Sequence, residues 1–289
     1  MSTTRKSERA KEKSLELESK DMEVAQLYSD LRESFESLCE VNKKLRAANE
    51  KLEKQNKAQR EFINVAAHEL RTPTQSVVGY CEMLEMFPER TKDYLKRLKR
   101  NADRLWTLTS DLLDATMIDT GMLRLNNVDF NLIEMINEVA HDMRKKFYVA
   151  NKNADIHRII PDIELSISSN PIMVHADKNR IIQVLSNLLD NAIKFTPSGT
   201  IIISTKRDDN NLVIVNVKDT GKGIDPEIHP KVFQRFITNS DSGTGLGLFI
   251  SKNIVEAQSG SIWAQNNKDG GATFSFTLPM MKKIKKIII

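Results

Sequence analysis

The sequence predicts an α+β protein in which a coiled coil and a helical hairpin precede an α/β sandwich. Residues 1–60 are rich in Glu, Lys, Ser and Gln and contain no Pro or Gly, which favours one long helix. Apolar residues then recur at spacings of three and four on both sides of a break at residues 87–90, which indicates two helices joined by a turn. From about Val128, short apolar strands alternate with two or three helices, as in a mixed sheet covered by helices on one face.

These patterns divide the chain into three parts. We place a coiled-coil signalling helix at residues 1–57, the helical hairpin at residues 58–122 and the sandwich at residues 128–281. A length of 289 residues suits two compact units and one extended element.

A seven-residue repeat marks the first part. The repeating apolar positions are Val24, Leu31, Leu38, Leu45 and Leu52, with Leu27, Val41 and Ala48 three residues after members of that set. Ser34 and Gln55 interrupt the second set, so a solvated single helix is the alternative. Because the repeat persists over more than four heptads, it favours a parallel coiled coil between two copies of the chain.

The first helix of the hairpin presents a histidine on its polar side. Its apolar stripe consists of Phe62, Ala66, Pro73, Val77, Tyr80 and Leu84. At about 100° per residue, His68 points nearly opposite this stripe, and Thr72 lies one turn further along on the same exposed side. Glu69 sits at the flank of the stripe, within reach of a group bound to the imidazole. A lone surface histidine is usually just solvated, but here a nucleophile, a carboxylate and a hydroxyl converge.

A second helix, predicted at residues 180–195, is apolar around most of its circumference and should be buried. One polar stripe remains on it, formed by Arg180, Gln183, Asn187, Asn191 and Lys194. Each asparagine alone would usually be a core amide bonded to backbone. As a row, two carboxamides flanked by cations suit a polyphosphate with a bound divalent ion.

Two glycine clusters follow. Residues 219–224 (Asp-Thr-Gly-Lys-Gly-Ile) come directly after an alternating apolar strand, and residues 243–248 (Gly-Thr-Gly-Leu-Gly-Leu) open an apolar helical segment. A glycine-rich loop that enters a helix offers free backbone amides to phosphate. Either cluster alone would usually be a turn, and neither matches a Walker or dinucleotide-binding pattern.

In this order the motifs resemble those of two-component sensor histidine kinases over roughly residues 58–279. The matching segments are the phosphoacceptor H box around His68, the N box at 187–195, the first glycine box at 219–224, the F box at 233–236, the second glycine box at 243–248 and a glycine/threonine element at 271–274.

The resemblance implies a role for each matching residue. His68 would accept the γ-phosphoryl group of ATP, Glu69 would orient the imidazole and take its proton, and Thr72 would position water to dephosphorylate a partner. Asn191 would be the protein ligand of Mg²⁺. The implied nucleotide contacts are Asn187 and Lys194 near the phosphates, Phe195 over adenine, Asp219 on the adenine amino group, Arg235 on the γ-phosphate, and Gly221, Gly223, Ile224, Gly243, Thr244, Gly245, Leu246, Gly247 and Thr273 around them.

The same resemblance implies a homodimer, joined through the coiled coil and a four-helix bundle. This dimer would pass the phosphoryl group to an aspartate in the receiver domain of a response regulator, and would also remove it. One alternative is an ATPase of the gyrase and chaperone type (GHKL), but such enzymes carry a water-activating glutamate where this chain has Asn187. The other is a nucleotide-binding dimeric signalling scaffold, which would have lost His68, Asn191 or Asp219. None is lost.

Composition excludes several other classes of protein. The net charge of +4 is small and evenly spread, so no nucleic-acid partner is expected. The two cysteines lack the spacing of a metal site, and Cys81 near the apolar stripe is predicted to be a small core residue. No apolar run is long enough for a transmembrane segment, and we expect a cytoplasmic protein.

Overall fold

The computed structural model describes residues 2–152, 161–208, 210–238 and 243–281. The chain divides into two compact units, residues 1–67 and residues 68–289. No helix among the described residues is both long enough and apolar enough to cross a membrane.

The first unit contains the N-terminal part of helix α1, which spans Ser2–Met86 and continues into the second unit. The large apolar side chains of the heptad seam, from Val24 to Leu52, are between 48% and 66% exposed in the single chain. A row of exposed apolar side chains at heptad spacing is what a coiled coil presents to its partner helix. The coiled coil itself stays a prediction.

The second unit begins with the predicted helical hairpin, which is confirmed. Helix α1 ends at Met86, a short 3-10 helix occupies Pro88–Arg90, and helix α2 spans Thr91–Asp119. Gly121 has a φ of +66°, and its amide donates to the carbonyl of Ile118, which closes α2 as a left-handed C-cap. The core role predicted for Cys81 is wrong, because Cys81 is one helical step, about 100°, past Tyr80 and is exposed.

The rest of this unit is the predicted α/β sandwich, which is also confirmed. Its elements are β1 (Val128–Asn131), α3 (Leu132–Lys152), β2 (Asp162–Ser166), β3 (Met173–Ala176), α4 (Lys178–Phe195), β4 (Thr200–Arg207), β5 (Leu212–Asp219), a 3-10 turn (His229–Lys231), α5 (Gly247–Ala257), β6 (Ile262–Asn266) and β7 (Ala272–Pro279). Five strands form one sheet in the order β2-β4-β5-β7-β6, and β1 pairs with β3. The larger sheet is mixed, since β2 and β4 are parallel and the other neighbours are antiparallel.

The core lies between this sheet and its helices. Along β5, Val213, Val215 and Val217 are buried while the residues between them are only half-buried, so one face of the strand points into the core. Helices α4 and α5 contact the sheet, and α3 packs beside α4. The register pairs Asp219, the last residue of β5, with Ile201 near the start of β4. The C-terminal end of this central strand therefore lies at the end of the sheet where the candidate site is found.

Candidate active site

A cavity of about 610 Å³ lies between α4, the end of β5, the loop before α5 and one side of α2. Most residues predicted to contact a nucleotide line it, namely Asn187, Asn191, Lys194, Phe195, Asp219, Gly223, Ile224, Gly243, Thr244, Gly245 and Gly247. Two chain segments separated by some fifty residues of sequence, the N box and the second glycine box, thus face the same space.

The second glycine box lies directly against the polar stripe of α4. A Cβ atom on Gly247 would be 2.3 Å from Oδ1 of Asn187, and one on Gly243 would be 2.9 Å from Nζ of Lys194. Gly245 has a φ of +66°, a conformation that side chains rarely adopt. Glycine is therefore required for the loop to approach α4 this closely with its backbone amides free of side chains.

The polar stripe of α4 contacts both helix α2 and the cavity. The sequence predicted that the whole stripe faces a polyphosphate, and in the structure only part of it is available for that. Arg180 and Gln183 both bond to Asp114 of α2. Asn187 donates from Nδ2 to the hydroxyl of Ser251 at 2.9 Å. Gln183, Asn187, Asn191 and Lys194 all line the cavity. Since the amide groups of Gln183 and Asn187 already donate to protein partners, Asn191 and Lys194 are the stripe's best candidates for contact with phosphate or metal.

Two cations lie beside one aromatic ring at the cavity. The Nζ atoms of Lys194 and Lys222 are 5.6 and 5.0 Å from the centroid of the Phe195 ring. Burial lowers the pKa of Lys194, and the Arg104 cation lowers it further. Lys222, between the two glycines of the first glycine box, also lines the cavity and was not among the predicted site residues.

Asp219 is 4% exposed and points its carboxylate into the site. Its Oδ1 atom accepts hydrogen bonds from the amides of Gly221 at 2.8 Å and Ala272 at 3.2 Å. Burial raises the pKa of Asp219, and these two hydrogen bonds act in the opposite direction. Both described bonds to the carboxylate end on Oδ1, so Oδ2 is the oxygen that can serve a ligand.

Four predicted nucleotide contacts do not line the cavity in the described part of the chain. A Cβ on Gly221 would lie 2.3 Å from the carbonyl oxygen of Phe195, so this glycine supports the turn. Leu246 is fully buried at the start of α5. Thr273 donates to Asn267, which in turn donates to the carbonyl of Asp219, and so supports Asp219 from behind.

Arg235 is the fourth predicted nucleotide contact that does not line the cavity. Its guanidinium donates two hydrogen bonds to the carboxylate of Asp119 at the end of α2, and one of them is 2.7 Å long. Its guanidinium carbon lies 4.4 Å from the centroid of the Phe249 ring. The structure therefore does not bring the predicted γ-phosphate cation to the cavity.

The predicted phosphoacceptor is accessible. The His68 side chain is 74% exposed, and Oε1 of Glu69 lies 3.8 Å from its Nδ1. The other carboxylate oxygen of Glu69 accepts a hydrogen bond from Nη2 of Arg104 at 3.1 Å. The Thr72 hydroxyl, one turn along, donates to the carbonyl of His68 at 3.4 Å.

Helix α2 contributes site residues that the sequence reasoning missed. Arg104, Thr107, Asp111 and Asp114 recur at spacings of three and four, and we call them the polar row of α2. Thr107 and Asp111 line the cavity, and Asp111 accepts a hydrogen bond from the Thr244 hydroxyl at 2.9 Å. Burial raises the pKa of Asp111, the bond from Thr244 lowers it, and the Asp114 carboxylate raises it. Their spacing is visible in the sequence, but nothing there says what the row faces.

Comparisons with protein families match both parts of this arrangement. The His Kinase A (phospho-acceptor) domain matches residues 58–121, which include His68. The histidine kinase-, DNA gyrase B- and HSP90-like ATPase matches residues 176–282, which include α4 and both glycine boxes.

Individual relatives agree with the family models. Hybrid signal transduction histidine kinase B of Dictyostelium discoideum is 33% identical over 78% of this chain and 12% of its own length. The autoinducer 2 sensor kinase/phosphatase LuxQ of Vibrio vulnificus is 30% identical over 80% of this chain and 27% of its own length. The chain thus spans about a quarter or less of these relatives.

A solved structure repeats the hairpin and sandwich together. The histidine kinase ThkA, in complex with the response regulator protein TrrA, superposes with a TM-score of 0.60 and 30% identity, over 76% of this chain and 61% of that one. With both domains matched in order and with this fold, the chain belongs to the family of two-component sensor histidine kinases.

Proposed function

We propose that this chain is an ATP-dependent protein histidine kinase that phosphorylates His68 and passes the phosphoryl group to an aspartate of a response regulator. The observation that carries the proposal is the cavity in which Asn191, Lys194, Asp219 and the second glycine box meet, in the same unit as an exposed histidine with an adjacent carboxylate. Relatives named as histidine kinases support it.

The cavity suits ATP. Oδ2 of Asp219 would accept from the adenine amino group, and Phe195 would cover the ring. The backbone amides of the second glycine box and the ammonium of Lys194 would hold the phosphates. Arg235 would first have to leave Asp119 to reach the γ-phosphate, so Lys194 is the better candidate.

The donor set also suits Mg²⁺. Among the described residues, no group of three or more His, Cys, Asp or Glu could hold a metal ion by itself. Mg²⁺ in phosphoryl-transfer sites usually takes few protein ligands and fills its shell with phosphate oxygens and water. The carboxamide oxygen of Asn191 would be that protein ligand, and the bound ion would neutralise phosphate charge.

The chemistry follows from which nitrogen faces Glu69. Nδ1 of His68 lies on the carboxylate side, so Nε2 keeps the lone pair that attacks the γ-phosphorus. A nitrogen–phosphorus bond forms as the bridging oxygen–phosphorus bond breaks, and ADP leaves with that electron pair. The Nδ1 proton passes to Glu69. The separation of 3.8 Å must shorten by about 1 Å for this transfer.

His68 does not line the cavity, so the nucleotide has to approach the histidine of its own chain or of a second copy before transfer. A homodimer formed by the heptad seam and a four-helix bundle would supply that second copy. The response-regulator partner is supported by the ThkA complex, and a phosphatase activity is supported by the name of LuxQ. Thr72, one turn from His68 on the exposed side of α1, is our candidate for positioning the water in that reaction.

The test is to incubate the purified chain with radiolabelled ATP and Mg²⁺, with His68→Gln as the control. We expect label that is stable in base and lost in acid, as phosphohistidine is, and no label in the control. Label that survives acid would contradict the proposal. ATP hydrolysis without labelled protein would favour the GHKL-type ATPase, and nucleotide binding without either reaction would favour the scaffold.

A further inference from the structure

We propose that Arg104 is a positioning residue for phosphoryl transfer, which holds the Glu69 carboxylate beside the imidazole of His68. The inference rests on the proposed kinase function and adds to it a residue of α2 that matches none of the motifs of the resemblance.

The first support is the way the Glu69 carboxylate is shared. Oε2 accepts from Nη2 of Arg104 at 3.1 Å, while Oε1 lies 3.8 Å from Nδ1 of His68. A glutamate side chain has three rotatable bonds, and an unanchored one would leave the productive rotamer for much of the time. Anchoring one oxygen leaves the other directed at the ring nitrogen.

The second support is burial. The side chains of Arg104 and Glu69 are only 29% and 28% exposed, whereas that of His68 is 74% exposed. A part-buried pair is less screened by salt and water than an ordinary surface pair. The anchor therefore persists although the histidine that it serves is in solvent.

The third support is the place of Arg104 in the polar row of α2. Thr107, which lines the cavity, is three residues further along, a rise of about 4.5 Å. The effect of the Arg104 charge on the pKa of Lys194 agrees with this location. Arg104 thus lies between the carboxylate beside the phosphoacceptor and the cation at the cavity.

Arg104 neither gains nor loses a proton in this role. One proton moves from Nδ1 of His68 to Oε1 of Glu69, and the guanidinium stays charged throughout. The benefit of Arg104 is therefore geometric, because a general base acts only within hydrogen-bond reach.

The experiment measures single-turnover autophosphorylation of the whole chain at several ATP concentrations. Arg104→Met, which keeps an unbranched apolar stem and removes the charge, should lower the maximal rate by roughly 10-fold to 100-fold. The half-saturating ATP concentration should stay within about twofold, because Arg104 does not line the cavity. Arg104→Lys should recover most of the rate. Arg100→Met is the matched control, since Arg100 is an exposed arginine one turn away on α2.

A double-mutant cycle separates the possible roles. If Arg104 acts through Glu69, Arg104→Met should have no further effect in a Glu69→Gln background. An additional loss there would mean that Arg104 acts on the phosphoryl group itself, and a wild-type rate for Arg104→Met would mean that it has no role. Either result overturns the proposal.

Folding and the kinase function are checked separately. Circular dichroism tests whether the Arg104→Met variant is folded. If that variant is unfolded, Arg104→Gln takes its place in the double-mutant cycle. An absence of acid-labile label in the wild-type chain would refute the kinase function itself, and so differs from a null effect at Arg104.

Discussion

Asp114 of α2 and Arg180 of α4 form a part-buried ion pair between residues 66 positions apart, with Nη1 of Arg180 at 2.8 Å from Oδ1 of Asp114. Gln183 donates to the other carboxylate oxygen at 2.7 Å and accepts from Arg180 at 2.9 Å. Each of the three side chains is thus hydrogen-bonded to the other two. This closed hydrogen-bond network holds the hairpin against the helix that carries the N box.

We therefore expect Asp114→Ala to destabilise the second unit by roughly 2–4 kcal/mol, because Arg180 is left part-buried without its carboxylate. Urea unfolding and hydrogen exchange along α2 measure the loss. Asp103→Ala, at an exposed position of α2, is the control. Replacing both partners, as Asp114→Leu with Arg180→Met, should recover part of the stability. Unchanged exchange in Asp114→Ala would show that the pair does not hold the helices together.

His68→Gln should abolish autophosphorylation and leave ATP affinity unchanged, because His68 does not line the cavity. Glu69→Gln should slow transfer by roughly 100-fold through loss of the general base. Calorimetry gives the affinity, and single-turnover kinetics gives the rate. A Glu69→Gln rate equal to that of the wild type would remove this carboxylate from the mechanism.

Asn191→Asp should weaken the binding of Mg²⁺ and ATP, because it places a charge where the structure has a neutral amide lining the cavity. Titration calorimetry with and without Mg²⁺ checks this. Asn253→Asp serves as the comparison, since Asn253 donates to the carbonyl of Phe249 within α5 and does not line the cavity. Equal affinity in the two variants would mean that the amide of Asn191 is structural.

Asp219→Asn should weaken ATP binding without lowering the stability of the folded protein. The folded protein raises the pKa of Asp219 by burial, so its ionisation costs stability as pH rises through that raised pKa. At pH 7 the asparagine variant avoids this cost and should melt at the same or a higher temperature, while its ATP affinity falls. In the wild type, ATP affinity should fall as acid protonates Asp219, at a pH above the ordinary aspartate range. A variant that melts earlier and binds ATP normally would contradict the assignment.

Thr72→Ala should retain autophosphorylation and lose phosphatase activity toward a phosphorylated response regulator. The alternative is that the hydroxyl only solvates the helix beside Pro73, and its contact with the carbonyl of His68 at 3.4 Å fits that role too. Decay of a purified phospho-regulator with ADP present distinguishes them. Thr74→Ala is the matched control, because its hydroxyl donates to the carbonyl of Leu70 at 2.7 Å. Equal decay with wild type and Thr72→Ala would discard the phosphatase role.

Features set by a single element were predictable from the sequence. The apolar circumference of α4 follows from its own residues, and so does the position of Asp219 at the end of a strand. Contacts across elements were not predictable. Glu69 and Arg104 are 35 residues apart, and Asp111 and Thr244 are 133 residues apart. Periodicity shows that the polar row of α2 shares a face, but only packing shows that this face meets the nucleotide domain. For the same reason the sequence could not show that Asp119 would hold Arg235 away from the cavity.

The hydrogen bond from Thr244 to Asp111 joins the loop that would close over the phosphates to the helix that follows the phosphoacceptor. If occupancy of the cavity changes the strength of this bond, then a stimulus that shifts α2 changes the affinity for nucleotide by the same factor by which nucleotide shifts α2. The output of a sensor connected to this chain would then depend on how fully nucleotide occupies the cavity, as well as on the signal.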